Sequence, residues 1–154
     1  MKPKPKKRGT GLRRNSTGSK FLLDTNVFIA AIKRGWTDTT ELLLHFLTSK
    51  RYVLVANDVL MAEYRKYAEK LNALDFYEFI RRQVTIVNPS REEVLRVLQY
   101  FSETQLADAV HAATCLKSGA ILVTNDRHFE KVSRAGIIDV WSISDTIRRI
   151  LRDG

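Results

Sequence analysis

The chain has a single cysteine, Cys115, only three prolines, and no acidic residue before Asp24. One thiol excludes an intrachain disulfide. Its neighbours are small and apolar, so it reads as a packed, reduced side chain, which fits a cytoplasmic protein. No apolar run approaches the roughly 20 residues of a membrane span. The basic N-terminus is not followed by an uninterrupted apolar segment, so no secretory signal is expected. A Gly-rich phosphate loop is missing as well: Gly9-Thr10-Gly11 lacks the flanking strand and helix that such a loop needs.

What is present suits one globular domain. The chain has 154 residues, 44% hydrophobic and 28% charged. Its net charge is +9, with 26 basic residues, and eight of these fall in the first twenty positions: Lys2, Lys4, Lys6, Lys7, Arg8, Arg13, Arg14 and Lys20. The remainder carries 18 basic against 17 acidic residues and is close to neutral. Residues 1–20 have almost nothing to bury and read as a disordered basic tail before a folded domain over 21–154. Such a tail either only aids solubility or adds salt-sensitive affinity for polyphosphate. Nucleic-acid contact is the favoured reading, because the body has no comparably dense cationic segment.

Apolar runs that stop at polar residues recur along the chain. Phe21-Leu22-Leu23 runs into Asp24, Tyr52 to Ala56 into Asn57-Asp58, and Ala120 to Thr124 into Asn125-Asp126. Val84 to Val87 and Ile138 to Ile143 complete five expected strands. Between them, helical periodicity marks about 27–34, 59–71, 74–82, 105–118 and 128–134, with Gly35, Gly119 and Gly136 as stops. Asp38-Thr39-Thr40-Glu41 and Ser90-Arg91-Glu92-Glu93 have the form of capping boxes, and Ser144 is expected to open a last helix. The alternation implies a single α/β domain with right-handed crossovers and a mostly parallel five-stranded sheet covered by helices on both faces.

That topology gathers four carboxylates. Asp24 and Asp126 end strands of one polarity and so share the carboxyl edge of the sheet. Asp108 opens a helix that feeds a strand, which puts it at the same edge. Glu63 lies about one turn into the helix after the second strand and borders its buried stripe of Leu60, Tyr64, Tyr67 and Leu71. Each has a plainer reading: Asp24 as a helix cap, Glu63 in a salt bridge or a hydrogen bond within the fold, with Arg81 and Arg82 among the candidate partners, and Asp108 at the positive end of a helix dipole. Together they would repel strongly unless some protonate or the site holds a cation. An oxygen donor set suits Mg²⁺ or Mn²⁺. A site of this kind can hydrolyse a phosphodiester, and with the basic tail the economical substrate is nucleic acid. His111, Trp36 and Trp141 read as packing residues, His128 as a helix-start residue, and Arg127 as a surface arginine.

Leu22-Leu23-Asp24-Thr25-Asn26-Val27-Phe28, Glu63, Leu106-Ala107-Asp108-Ala109 with His111-Ala112-Ala113, and Val123-Thr124-Asn125-Asp126, in that order, resemble a PIN domain over about residues 21–150. The resemblance implies an α/β fold, a Rossmann-like three-layer sandwich, and a Mg²⁺/Mn²⁺-dependent ribonuclease whose acidic quartet is Asp24, Glu63, Asp108 and Asp126. Asn26, Thr124 and Asn125 would support the quartet. Many single-domain members are VapC-type toxins paired with an antitoxin, and dimers are common among them. RNA, an antitoxin protein and a second copy are therefore the expected partners, with no membrane. The basic tail is not part of the short toxin pattern and leaves an RNA-processing role open. Haloacid-dehalogenase-type phosphatases also place an aspartate after strand one, but they need a second two residues later, where this chain has Asn26. The competing reading of another class is an RNA-binding module with the same fold and no turnover.

Overall fold

The computed structural model describes residues 18–153. The cationic residues expected to meet nucleic acid, Lys2 to Arg14, lie outside the described residues. The first strand, β1 (Ser19–Leu23), begins earlier than its apolar run, because Ser19 and Lys20 pair with Tyr52 and Val53 of β2 (Tyr52–Ala56). Lys20 is anchored further by donating to the Ser118 carbonyl at 3.2 Å. With β3 (Thr85–Ile86), β4 (Ile121–Val123) and β5 (Val140–Trp141), the sheet order is β3-β2-β1-β4-β5, and every pairing is parallel.

The helices are α1 (Thr25–Ile32), α2 (Asp38–Thr48), α3 (Asp58–Lys70), α4 (Leu74–Gln83), α5 (Arg91–Leu98), α6 (Leu106–Ser118), α7 (Glu130–Arg134) and α8 (Ile143–Ile147). Helix α2 packs on β2, while α6 packs on β1, β2 and β4. Phe21, Leu22, Leu23, Leu54, Val55, Leu122 and Val123 are all buried. Continuous apolar strands are what a parallel sheet covered on both faces requires. Phe21 also meets Phe46 of α2, with ring centroids 4.8 Å apart. Gly119 takes the left-handed conformation (φ 79°) that ends α6, as its position after the helical run predicts.

Several expectations shift by a residue or more. Helix α2 is capped by Thr37 rather than Asp38. The Thr37 hydroxyl accepts from the Thr40 amide at 3.2 Å, and the Thr40 hydroxyl accepts from the Thr37 amide at 3.0 Å. The box between Ser90 and Glu93 forms as expected. Strand β5 stops at Trp141 because Ser142 accepts from the Asp145 amide and caps α8, two residues before the expected start at Ser144. Trp36 is 70% exposed and anchors no packing. Trp141 does, against Phe21 at 5.5 Å, with the Arg149 guanidinium 4.4 Å above its ring.

Chain order explains where a site can form. From β1 the chain grows outward to β3, then crosses back to place β4 on the other side of β1. The boundary between β1 and β4 is thus the topological switch point, where open α/β sheets bind ligands at their carboxyl edge. The last residue pair across that boundary is Leu23 and Val123. Asp24 and Thr124 come next.

Candidate active site

Asp24 is 5% exposed and sits at the N-cap of α1. One carboxylate oxygen accepts from the Thr25 amide at 2.9 Å. The other accepts from Asn26 Nδ2 at 2.9 Å and from the Thr124 hydroxyl at 2.7 Å. Burial pushes its pKa up, and the Thr124 hydrogen bond opposes that push. Among the described residues Asp24 enters no salt bridge, so its charge is met by neutral donors alone. The cap reading holds for one oxygen, which serves the helix, while the other joins β1 to β4.

Thr124 is the joint between the two strand ends. While donating to Asp24, its hydroxyl accepts from the Asp126 amide at 2.9 Å and from Asn26 Nδ2 at 3.1 Å. Asn125 turns elsewhere; its side-chain oxygen accepts from the Ile143 amide at 2.9 Å and fastens the end of β4 to α8.

Asp126 and Asp108 form a more open wall. Asp126 caps the short 3-10 turn Arg127–Phe129 by accepting from the His128 amide at 3.0 Å. The same residue's imidazole Nδ1 lies 2.9 Å from Asp108 Oδ2 and 3.3 Å from Asp126 Oδ1. His128 is therefore more than a helix-start residue. Burial raises the pKa of Asp108, the hydrogen bond to His128 lowers it, and the Asp126 charge raises it again, with a net shift upward. The His128 pKa is raised chiefly by that same hydrogen bond.

Glu63 has neither arginine as its partner; Arg81 pairs with Glu78 at 2.9 Å instead. Oε1 of Glu63 accepts from the Thr25 hydroxyl and lies 3.2 Å from His111 Nε2. Burial works against its ionisation, but these two hydrogen bonds, with the charge of Lys66, outweigh it and hold the carboxyl below its usual range. Behind the site, the buried Tyr64 hydroxyl donates to the Leu23 carbonyl and fixes α3 to the end of β1.

Asp24, Glu63, Asp108 and Asp126 line one cavity of about 320 Å³, together with Thr25, Asn26, Ile29, Lys66 and Tyr67. The four predicted acids are thus brought together. Thr124 supports from behind, and Asn125 does not line the cavity. Sequence reading missed Thr25, Lys66, Tyr67 and His128. Lys66 and Tyr67 follow Glu63 by three and four positions, a spacing that returns to the same helix face and could have found them. No comparable signal ties His128 to Asp108.

The donor set fits a hard divalent cation. Its oxygens come from acids on four different segments, and one of those acids, Asp24, is buried and enters no salt bridge among the described residues. Asp108, Asp126 and His128 also present ligand atoms within 4.8 Å of one another. A His128 Nδ1 that donates to Asp108 has no lone pair left for a metal, which leaves the carboxylates as the ligand donors there.

Comparison with known proteins bears on the fold and the family. Three solved structures share the fold. They are VapBC2 from Rickettsia felis bound to a DNA fragment from its promoter, PAE2754 from Pyrobaculum aerophilum, and VapBC-1 from nontypeable Haemophilus influenzae. The first is 16% identical, over 80% of this chain and 98% of that one, with a TM-score of 0.57. The second is 15% identical, over 88% and 97%, with a TM-score of 0.59. The third is 17% identical, over 81% and 98%, with a TM-score of 0.56. No curated protein matches the sequence. The PIN domain family model matches residues 21–135, which contain all four acids and both strands of the switch point, and the chain belongs to the PIN domain family.

Proposed function

We propose that the protein is a Mg²⁺- or Mn²⁺-dependent endoribonuclease. The observation that carries the reading is the convergence of Asp24, Glu63, Asp108 and Asp126 on one cavity at the carboxyl edge of the sheet. Asp24, Asp108 and Asp126 would hold the cation, and Glu63 would complete the cage or orient the attacking water. When held there, such a cation would supply an activated water and charge neutralisation at the phosphodiester. In the hydrolysis the water gives up a proton as its oxygen bonds to phosphorus, the bond from phosphorus to a ribose oxygen breaks, and the leaving oxygen takes up a proton, so that the net change is one water consumed and one hydroxyl released. Lys66 is the basic residue of the cavity lining and is suited to a phosphate oxygen.

The test compares wild type with Asp24→Asn on a structured RNA, with Mn²⁺ and with chelator. Wild type should cleave only with metal, and the variant should not cleave. Equal cleavage by both refutes the site. RNA binding without cleavage in every metal would favour the binding module.

The basic segment Lys2 to Arg14 would add sequence-independent affinity for RNA. Deleting residues 1–17 should flatten the salt dependence of binding, and an unchanged slope removes the segment from the mechanism. Two of the structural neighbours are VapBC assemblies, which supports a role as the toxin of a toxin-antitoxin pair. Isolation from the native source tests this: a toxin should copurify with a small protein that inhibits cleavage and should form dimers, whereas a free, active monomer points to RNA processing.

A further inference from the structure

Glu63 is held by a chain of side chains that determines which of its oxygens faces the cavity. The chain starts at Asn57, which is fully buried and caps α3. Its side-chain oxygen accepts from the Leu60 amide at 2.7 Å, so the amide orientation is fixed and Nδ2 points the other way. Nδ2 lies 3.0 Å from the Thr114 hydroxyl and 3.1 Å from His111 Nδ1. The Thr114 hydroxyl gives its own proton to the Val110 carbonyl at 2.9 Å and is an acceptor towards Asn57. Nδ2 carries two protons and has these two acceptors. His111 Nδ1 must therefore be bare, and the ring proton sits on Nε2, which faces Glu63 Oε1 at 3.2 Å. The ring is 1% exposed, and a second ring proton would oppose the Asn57 amide.

Oε1 of Glu63 thus receives two donors, His111 Nε2 and the Thr25 hydroxyl, and has no lone pair to spare. Oε2 makes no hydrogen bond among the described residues. We propose that His111 is a positioning residue: in its Nε2-protonated form it anchors Oε1, so that Glu63 acts at the cavity through Oε2 alone. This rests on the reading of Glu63 as part of the hydrolytic site. The role extends from β2 and α6 into the site through Asn57 and Thr114, residues that touch no substrate.

Three measurements test it. A long-range ¹H–¹⁵N spectrum of the metal-free protein should show His111 protonated at Nε2 and bare at Nδ1. The variant His111→Phe, assayed below its own melting temperature, should lose about 10–100-fold in kcat and in Mn²⁺ affinity read by electron paramagnetic resonance, with KM for RNA unchanged. His111→Gln keeps a terminal N–H donor and should recover both. An Nδ1-protonated ring, a Phe variant with wild-type kcat and Mn²⁺ affinity, or a Gln variant as impaired as the Phe variant would each overturn the proposal. If wild type cleaves no RNA at all, the ribonuclease reading fails separately, while the tautomer and the Mn²⁺ affinities still decide the role of His111.

Discussion

Asp24 and Asp108 face the same cavity but are kept in place by opposite means. Asp24 is buried and surrounded by neutral donors: an amide, a carboxamide and a hydroxyl, all within four residues of a strand end. Asp108 is half-buried and is bridged to Asp126 by an imidazole that carries positive charge when protonated. Both have raised pKa values, and in both burial is the largest cause. The inner wall is prebuilt by hydrogen bonds that orient a carboxylate without neutralising it. The outer wall neutralises itself. A cation would therefore be drawn to the inner acid for charge and would compete with His128 at the outer pair.

The largest expected effect comes from breaking the inner wall. Asp24→Asn keeps the shape and removes the charge. Charge stabilisation by a bound metal is worth several kcal/mol, so cleavage should fall roughly 10³-fold. Asp126→Asn should fall as far, as measured by single-turnover cleavage with Mn²⁺. A variant of either wall that keeps near-wild-type activity would show that the two walls do not share one ion.

Thr124 sharpens the comparison because it belongs to both walls. Thr124→Val preserves volume but leaves Asp24 short of a donor and the Asp126 amide short of an acceptor. The expected costs are about 1–3 kcal/mol of stability, from urea unfolding, and about 10–100-fold in cleavage. Thr124→Ser should restore both. A valine variant that lost stability alone would make Thr124 a structural joint with no influence on the acids.

These residues also show how much could be read in advance. Five alternations of strand and helix point to the parallel sheet, and runs ending in Asp24, Asn57 and Asn125-Asp126 mark its polar carboxyl edge, because a strand end and a helix start share one local grammar. The acids followed from topology. Their partners did not. His111 lies 48 positions from Glu63, and His128 lies 20 from Asp108. Contacts of that kind depend on how α3, α6 and the turn after β4 settle against one another, which no local spacing encodes. The shift of the α2 cap from Asp38 to Thr37 has the same origin: the Thr40 hydroxyl is drawn to the Ala31 carbonyl at 2.6 Å, a tertiary contact that fixes where the helix begins.

A smaller effect is expected at Lys66, which lines the cavity from α3 beside the inner wall. Lys66→Ala should raise KM for RNA a few-fold with little change in kcat and should reduce the salt slope of binding by about one. A fall in kcat with unchanged KM would instead place Lys66 on the reacting phosphate, acting through the transition state.

The smallest effect tests the self-neutralised outer wall. His128 has a raised pKa because Asp108 accepts its Nδ1–H, with Asp126 adding to the shift. A group whose folded pKa exceeds its unfolded value of about 6.5 stabilises the fold fully below that value and loses the contribution as pH rises through the folded one. Subtracting His128→Ala from wild type in chelator, by urea midpoints from about pH 5.5 to 9, should give a positive difference at the acid end that fades at the alkaline end. The side chain is 48% exposed, so solvent screens the pair and the difference should be small. Saturating Mn²⁺ should abolish the acid-side advantage, since the ion and the imidazolium compete for the same two carboxylates. If the advantage persisted with metal bound, the ion would leave the outer carboxylates to the imidazole, and the inner wall around Asp24 would have to carry the cation.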